Sequence, residues 1–169
     1  GTVVVNSQIN KGSVIQITLP LRVDEAQNEQ PAKGDWAAGD EIAGLRVLLV
    51  EDNEINCEIV EYILEEAGAK VVTANDGKAA VDTFAASEPG TFDCILMDLM
   101  MPVMSGYEAA RVIRGMERQD ARSVPIIALS ANAFEEDIAL AKDAGMNAHL
   151  AKPVDMRKMF GIMSRSKRC

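Results

Sequence analysis

From Leu45 onward the chain alternates between two hydrophobic periods. Leu45-Arg46-Val47-Leu48-Leu49-Val50 is a short apolar run of the kind found in strands covered on both faces. After Glu51-Asp52-Asn53, apolar residues recur at helical spacing (Ile55, Ile59, Val60, Ile63, Leu64 and Ala67), and Gly68 follows as a helix stop. The alternation then repeats. Lys70 to Ala74 reads as a strand, Asn75-Asp76-Gly77 as a turn and Lys78 to Ala86 as a helix closed by Pro89-Gly90. Phe92 to Asp98 is the third strand. Ser105 and Glu108 have capping-box spacing and predict a helix whose face includes Ala109, Val112, Ile113 and Met116. Val124 to Leu129, a helix from Phe134 to Asp143 ending at Gly145, Ala148 to Ala151, a Lys152-Pro153 turn and a helix from Val154 to Arg165 complete the pattern. Five successive strand-helix units predict an α/β fold, a doubly wound five-stranded parallel sheet with helices on both faces.

The segment before this pattern is different. Thr2 to Val5 and Ser13 to Leu19 are β-rich runs separated by a polar stretch containing Asn10, Lys11 and Gly12, which predicts a hairpin over residues 1–23. A lone hairpin is marginal as a domain. Residues 24–44 turn polar and small with no apolar period, and read as a flexible linker. Trp36, the sole tryptophan, is read there as an incidental aromatic.

Composition narrows the function classes. With 48% hydrophobic residues, the 169-residue chain can bury a full core. Its 17 basic and 26 acidic residues argue against a general nucleic-acid or anionic-membrane surface, since polyanions are repelled. No transmembrane-length apolar run and no signal peptide are seen, so a cytoplasmic location is expected. Cys57, Cys94 and Cys169 are odd in number, and there is a single His, which disfavours a disulfide framework or a structural zinc site. Two buried reduced thiols and one in a frayed tail are expected.

Chemistry enters at the strand ends. In an open parallel sheet, ligands bind at the carboxyl edge of the strands. There the pattern places Glu51 and Asp52, Asp98, Ser130 and Lys152. Singly, each has an ordinary role as a cap, a turn former or a solvated charge. Together they form an acid cluster whose repulsion calls for a cation. Mg²⁺ is the natural choice, a hard ion that takes oxygen ligands and leaves room for phosphate. A lysine and a hydroxyl beside it suit an incoming phosphoryl group.

The motifs LLVEDNEIN (48 to 56), ILMDLMMPVMSGYEA (95 to 109), PIIALSANA (125 to 133) and AHLAKPV (148 to 154) closely resemble those of response-regulator receiver domains, especially receivers fused to hybrid sensor histidine kinases. The resemblance spans the region from Leu45 and makes 45–169 the receiver domain, flavodoxin-like, with strand order 2-1-3-4-5. It implies that Asp98 is the phospho-acceptor, attacking a phosphohistidine. It further implies that Asp52, Asp98 and the backbone carbonyl of Met100 bind Mg²⁺, with Glu51 acting through water. Ser130 and Lys152 would hold phosphoryl oxygens, and the Lys152-Pro153 bond would be cis. Where receivers commonly carry Tyr or Phe as the switch residue paired with the hydroxyl, this chain has His149; a switching His and a plain surface His are both open readings. The partner would be a histidine kinase or a histidine phosphotransfer domain docking beside the first helix, and the output face would be the fourth helix, fifth strand and fifth helix.

The hairpin carries GT-x-x-V-x-S, Gly12-Ser13 and Leu19-Pro20, which resemble the last two strands of a histidine-kinase ATP-binding domain. That resemblance implies a remnant unable to bind ATP, and a parent chain that is a hybrid kinase. The receiver itself would catalyse its own phosphorylation without being a conventional enzyme. A Mg²⁺-dependent aspartyl-phosphate phosphatase is the rival enzyme, but such enzymes usually place an acid where Met100 stands. A phosphorylation-silent receiver fits the intact acids and Lys152 poorly. Neither GxGxxG nor GxxxxGK[ST] occurs to support nucleotide binding.

Overall fold

The computed structural model describes residues 1–8, 12–20, 42–131 and 134–165. Most of the predicted linker with Trp36, the hairpin residues Asn10 and Lys11, and Cys169 lie outside them. The chain divides into two compact units, Gly1–Lys33 and Gly34–Cys169.

The first unit contains the predicted hairpin, β1 (Thr2–Gln8) and β2 (Gly12–Thr18), paired antiparallel with Val3 opposite Ile17 and Val5 opposite Ile15. Residues directly opposite share a face, so these four apolar residues lie together, while Thr2, Val4, Asn6, Val14, Gln16 and Thr18 lie on the other face. All four apolar residues are exposed.

The second unit runs β3 (Arg46–Val50), α1 (Glu54–Glu66), β4 (Lys70–Ala74), α2 (Gly77–Ala86), β5 (Cys94–Asp98), α3 (Gly106–Gly115), β6 (Ile126–Ser130), α4 (Glu135–Asp143), β7 (Ala148–Ala151) and α5 (Met156–Arg165). The sheet is parallel in the order β4-β3-β5-β6-β7, which is 2-1-3-4-5 counted from β3. Strand residues alternate between two cores. Val47, Leu49, Leu96 and Ile127 pack with Val60, Leu64, Met159 and Phe160 of α1 and α5. Leu48, Val50, Ile95 and Met97 pack with Phe84, Ala109, Ile113 and Ala141 of α2, α3 and α4. Burial on both faces is why these strands are apolar throughout.

The helix signals act as the sequence predicts. Asn53 caps α1, Asp76 caps α2, and Ser105 with Glu108 closes a capping box on α3. Gly68, at φ +83°, ends α1 in a left-handed turn, with Gly68 N–H donating to Glu65 and Ala69 N–H to Leu64. Three details differ. Ile42 is fully buried in the α1/α5 core and Gly44 N–H donates to Gly68, so the folded unit takes in the last residues assigned to the linker. Ile55 and Ile59 of α1 and Val112 of α3 are exposed, because the sheet covers only part of each helix's apolar stripe. Cys94 is buried, whereas Cys57 is half-buried, and both are free thiols.

Polar clusters hold the amino edge of the sheet together. Arg118 lies 4.2 Å over the Phe84 ring and donates to the carbonyls of Phe84 and Ser87. It also grips Asp120 through Nε (2.6 Å) and a terminal nitrogen (3.0 Å), and Asp120 accepts from Gly90 N–H at 2.7 Å. Arg114 spans the carbonyls of Gly145 and Ala121 and the side chain of Asn147.

Candidate functional site

Each reactive side chain is delivered by a strand end. Glu51 leaves β3, its N–H donating to Ala74 on β4, and its side chain is buried. Asp52 follows it and is exposed. Asp98 is the last residue of β5 and is only 6% exposed. A side chain at Gly106 would collide with the Asp98 carbonyl, so glycine is required where α3 starts against this strand end. Between them, Met104 N–H donates to the Pro102 carbonyl at 2.7 Å and Val103 sits at φ +67°. That is a γ-turn of the strained, positive-φ kind on a β-branched residue.

Oxygens of Glu51, Asp52 and Asp98 lie within 4.8 Å of one another, the one such acidic trio among the described residues. Lys152 Nζ lies 2.5 Å from Glu51 Oε2 and 2.5 Å from Asp98 Oδ2, bridging the two buried acids. Burial disfavours the Lys152 ammonium, but its hydrogen bonds to Asp98 and Glu51 outweigh this and hold its pKa above the ordinary lysine value. The other oxygen of each acid is also occupied: Asp98 Oδ1 accepts from Met100 N–H at 3.1 Å, and Glu51 Oε1 accepts from Asn56 Nδ2 at 3.1 Å. The Lys152-Pro153 bond is cis, as the resemblance implied. Ser130, buried at the end of β6, lies with its Oγ 2.7 Å from His149 Nε2 on β7. A cavity of about 470 Å³ opens beside the acids, lined by Glu51, Asp52, Glu54, Cys57, Thr73 and Asn75.

The donor set fits a small hard cation. Three carboxylates lie together, the two buried ones sharing one ammonium, and the ligands are all oxygen. All the acids and the lysine read from the strand ends therefore come together, and Ser130 stands at the same edge. His149 is a hydrogen-bonding partner of Ser130. Asn56 was missed. It belongs to the motif at the start of α1, but nothing in the spacing announces a bond back to Glu51.

The sequence model of the response regulator receiver domain matches residues 47–164, and the chain belongs to that family. The chain is thus a receiver domain of two-component phosphorelay signalling. The chain is 42% identical over 123 residues to the peroxide stress-activated histidine kinase mak1 of Schizosaccharomyces pombe, covering 72% of this chain and 8% of that protein. Among solved structures it is similar to the receiver domain of sensor histidine kinase PA1611 from Pseudomonas aeruginosa. That likeness has 42% identity and a TM-score of 0.65, and covers 73% of this chain and 97% of that one; the PA1611 receiver carries a magnesium ion in its active site cleft. It is also similar, at 33% identity and a TM-score of 0.64 over 73% of this chain and 88% of that one, to a chain of the Saccharomyces cerevisiae complex between the histidine phosphotransfer protein Ypd1 and the receiver domain of its downstream response regulator Ssk1.

Proposed function

We propose that Asp98 is the phospho-acceptor of this receiver, taking a phosphoryl group from a phosphohistidine in a Mg²⁺-dependent reaction. The observation that carries the reading is the bridge of Lys152 between Asp98 and Glu51 within a trio of converging carboxylates. Asp52, Asp98 and the Met100 carbonyl would hold the ion, with Glu51 reaching it through water. Bound there, Mg²⁺ supplies charge neutralisation for the transferring phosphoryl oxygens.

The remaining steps belong to the protein. An Asp98 oxygen attacks phosphorus in line, the P–N bond breaks, and the donor imidazole leaves as an acyl phosphate forms. Met100 N–H orients the carboxylate. Lys152 turns from the acids to a phosphoryl oxygen, and the Ser130 hydroxyl leaves His149 for another. Release of His149 would then bias the surface formed by α4, β7 and α5, which exposes Phe134, Ile138 and Leu140. Docking of a histidine kinase or histidine phosphotransfer domain beside α1 is supported by exposed Ile55, Ile59 and Tyr62.

We further infer that residues 1–23 are a remnant of a histidine-kinase ATP-binding domain and that the parent chain is a cytoplasm-facing hybrid kinase. The histidine kinase relatives support the hybrid-kinase parent, and the remnant reading rests on the hairpin motifs GT-x-x-V-x-S, Gly12-Ser13 and Leu19-Pro20. Incubation with Mg²⁺ and acetyl phosphate, followed by intact mass, tests the central reading. One hydroxylamine-labile phosphoryl group is expected on the wild type and none on Asp98→Asn; an adduct that survives the substitution would overturn it.

A further inference from the structure

We propose that Asn56 is a positioning residue for the acid site, fixing the Glu51 carboxylate for a metal-bound water beside Lys152 and keeping it in place when Lys152 leaves; this rests on the reading of the site given above. The argument begins with the geometry of a helix N-terminus. Asn53 is the N-cap of α1, so Asn56 is the third helical residue. Side chains in a first turn tilt back toward the N-terminus, over the segment that leads into the helix. The third helical residue commonly uses that tilt to satisfy its own cap. Here the cap bond is already made, Asn56 N–H donating to Asn53 Oδ1 at 3.1 Å, and the Asn56 amide reaches past it to Glu51 Oε1 at 3.1 Å.

Glu51 is only 4% exposed and has two identified donors, one per oxygen: Asn56 on Oε1 and Lys152 on Oε2. Lys152 is shared, since the same ammonium lies 2.5 Å from Asp98 Oδ2. One ammonium cannot remain on both acids and also neutralise a phosphoryl group on Asp98. When it turns to the phosphoryl oxygen, Glu51 keeps a fixed donor only through Asn56. That donor is neutral, so it orients the carboxylate without competing for the charge a divalent cation needs. Asn56 therefore fixes the rotamer of Glu51 and preserves its free oxygen for a water on the metal. Groups that touch a ligand and not the ion change metal affinity by about 10- to 100-fold when removed, and Asn56, which acts through Glu51 and a water, stands at the low end, about 10-fold.

The test measures Mg²⁺ binding by calorimetry, without any phosphodonor, on wild type, Asn56→Leu, Asn56→Ala, Glu51→Gln and the Glu51→Gln/Asn56→Leu double variant. Circular dichroism checks the fold of each. Both Asn56 variants are expected to bind Mg²⁺ about 10-fold more weakly than wild type. In the Glu51→Gln background, Asn56→Leu should add less than a twofold change, because the carboxylate it positions is gone. In phosphorylation assays, the Asn56 variants should need more Mg²⁺ for half-maximal rate yet approach the wild-type rate at saturation. Unchanged affinity in the Asn56 variants, or an equal loss with and without Glu51, would overturn the proposal. Wild-type protein that binds no Mg²⁺ would instead remove the reading on which it rests.

Discussion

At the amino edge of the sheet, Asp120 and Arg118 are nearly buried, with side chains 3% and 11% exposed; at the carboxyl edge, Glu51 and Asp98 are equally hidden and share Lys152. The ingredients match, but the bookkeeping of donors does not. Asp120 receives two bonds from a planar guanidinium and one from a backbone N–H, and the same guanidinium stacks on Phe84 and caps the end of α2. Every partner is fixed and charge is locally balanced. At the other edge three carboxylates lie together, and the two buried ones share one flexible ammonium. No buried side-chain polar atom lacks a partner among the described residues, so both edges are satisfied. They differ in what could exchange: one arrangement has every partner fixed, and the other, on the function proposed above, would release its lysine to a phosphoryl group beside a cation.

The sharpest way to break this contrast is to remove a carboxylate from each edge. Asp120→Ala strands a buried guanidinium and should cost about 3–5 kcal/mol in urea unfolding. Asp98→Asn removes one of three mutually repelling charges and should leave stability in EDTA unchanged or raised. Comparable losses would mean the acid trio is a structural network too. Acid titration extends the test. Hydrogen bonds from Arg118 hold the Asp120 carboxyl below the usual aspartate range, against the effect of burial. Its contribution is therefore fully present above the unfolded value, near 3.9, and is lost as pH falls through the lower folded value. Wild-type stability should drop more steeply below about pH 4 than that of Asp120→Asn.

A smaller effect separates the edges by ligand. At a Mg²⁺ concentration of about 100 times Kd, site occupancy should stabilise the wild type by about 2.7 kcal/mol. Asp120→Ala should gain the same increment from its lower baseline, because its ion site is intact. Asp98→Asn should gain much less. Differential scanning calorimetry with and without Mg²⁺ reads all three, and an equal gain for Asp98→Asn would place the ion elsewhere.

The carboxyl edge was far more legible in the sequence than the amino edge. Asp98 and Ser130 end strands, Glu51, Asp52 and Lys152 follow directly on strand ends, and such positions follow from period alone once the parallel sheet is recognised. Arg118 and Asp120 lie in a connection with no period, and their partners Phe84, Ser87 and Gly90 are about thirty residues away. Long-range pairing of that kind leaves no local trace. Exposed Ile55, Ile59 and Val112 mark another limit: helical spacing identifies an apolar stripe, but not how much of it the sheet will cover. The contact of His149 with Ser130 depends on the adjacency of β6 and β7, which local sequence pattern does not show.

The smallest expected effect concerns strain, which the carboxyl edge holds in the loop after Asp98. Val103 adopts φ +67° within a γ-turn closed from Met104 N–H to the Pro102 carbonyl, and the residue is 85% exposed. Its conformation is thus imposed by the turn and not by packing of the valine. Such a backbone costs of order 1–3 kcal/mol in a residue with a β-branch. Glycine removes that cost while adding about 0.5–1 kcal/mol of unfolded-state entropy. Val103→Gly should therefore stabilise the domain by about 1 kcal/mol, measured as a rise in the urea midpoint at constant slope. Pro102 and Gly106 would still fix the loop's ends, so the half-saturating Mg²⁺ concentration should change less than twofold. A gain in stability with a clear loss of Mg²⁺ affinity would show that the strained valine stiffens the loop bearing Met100, and that the turn serves the ion site directly.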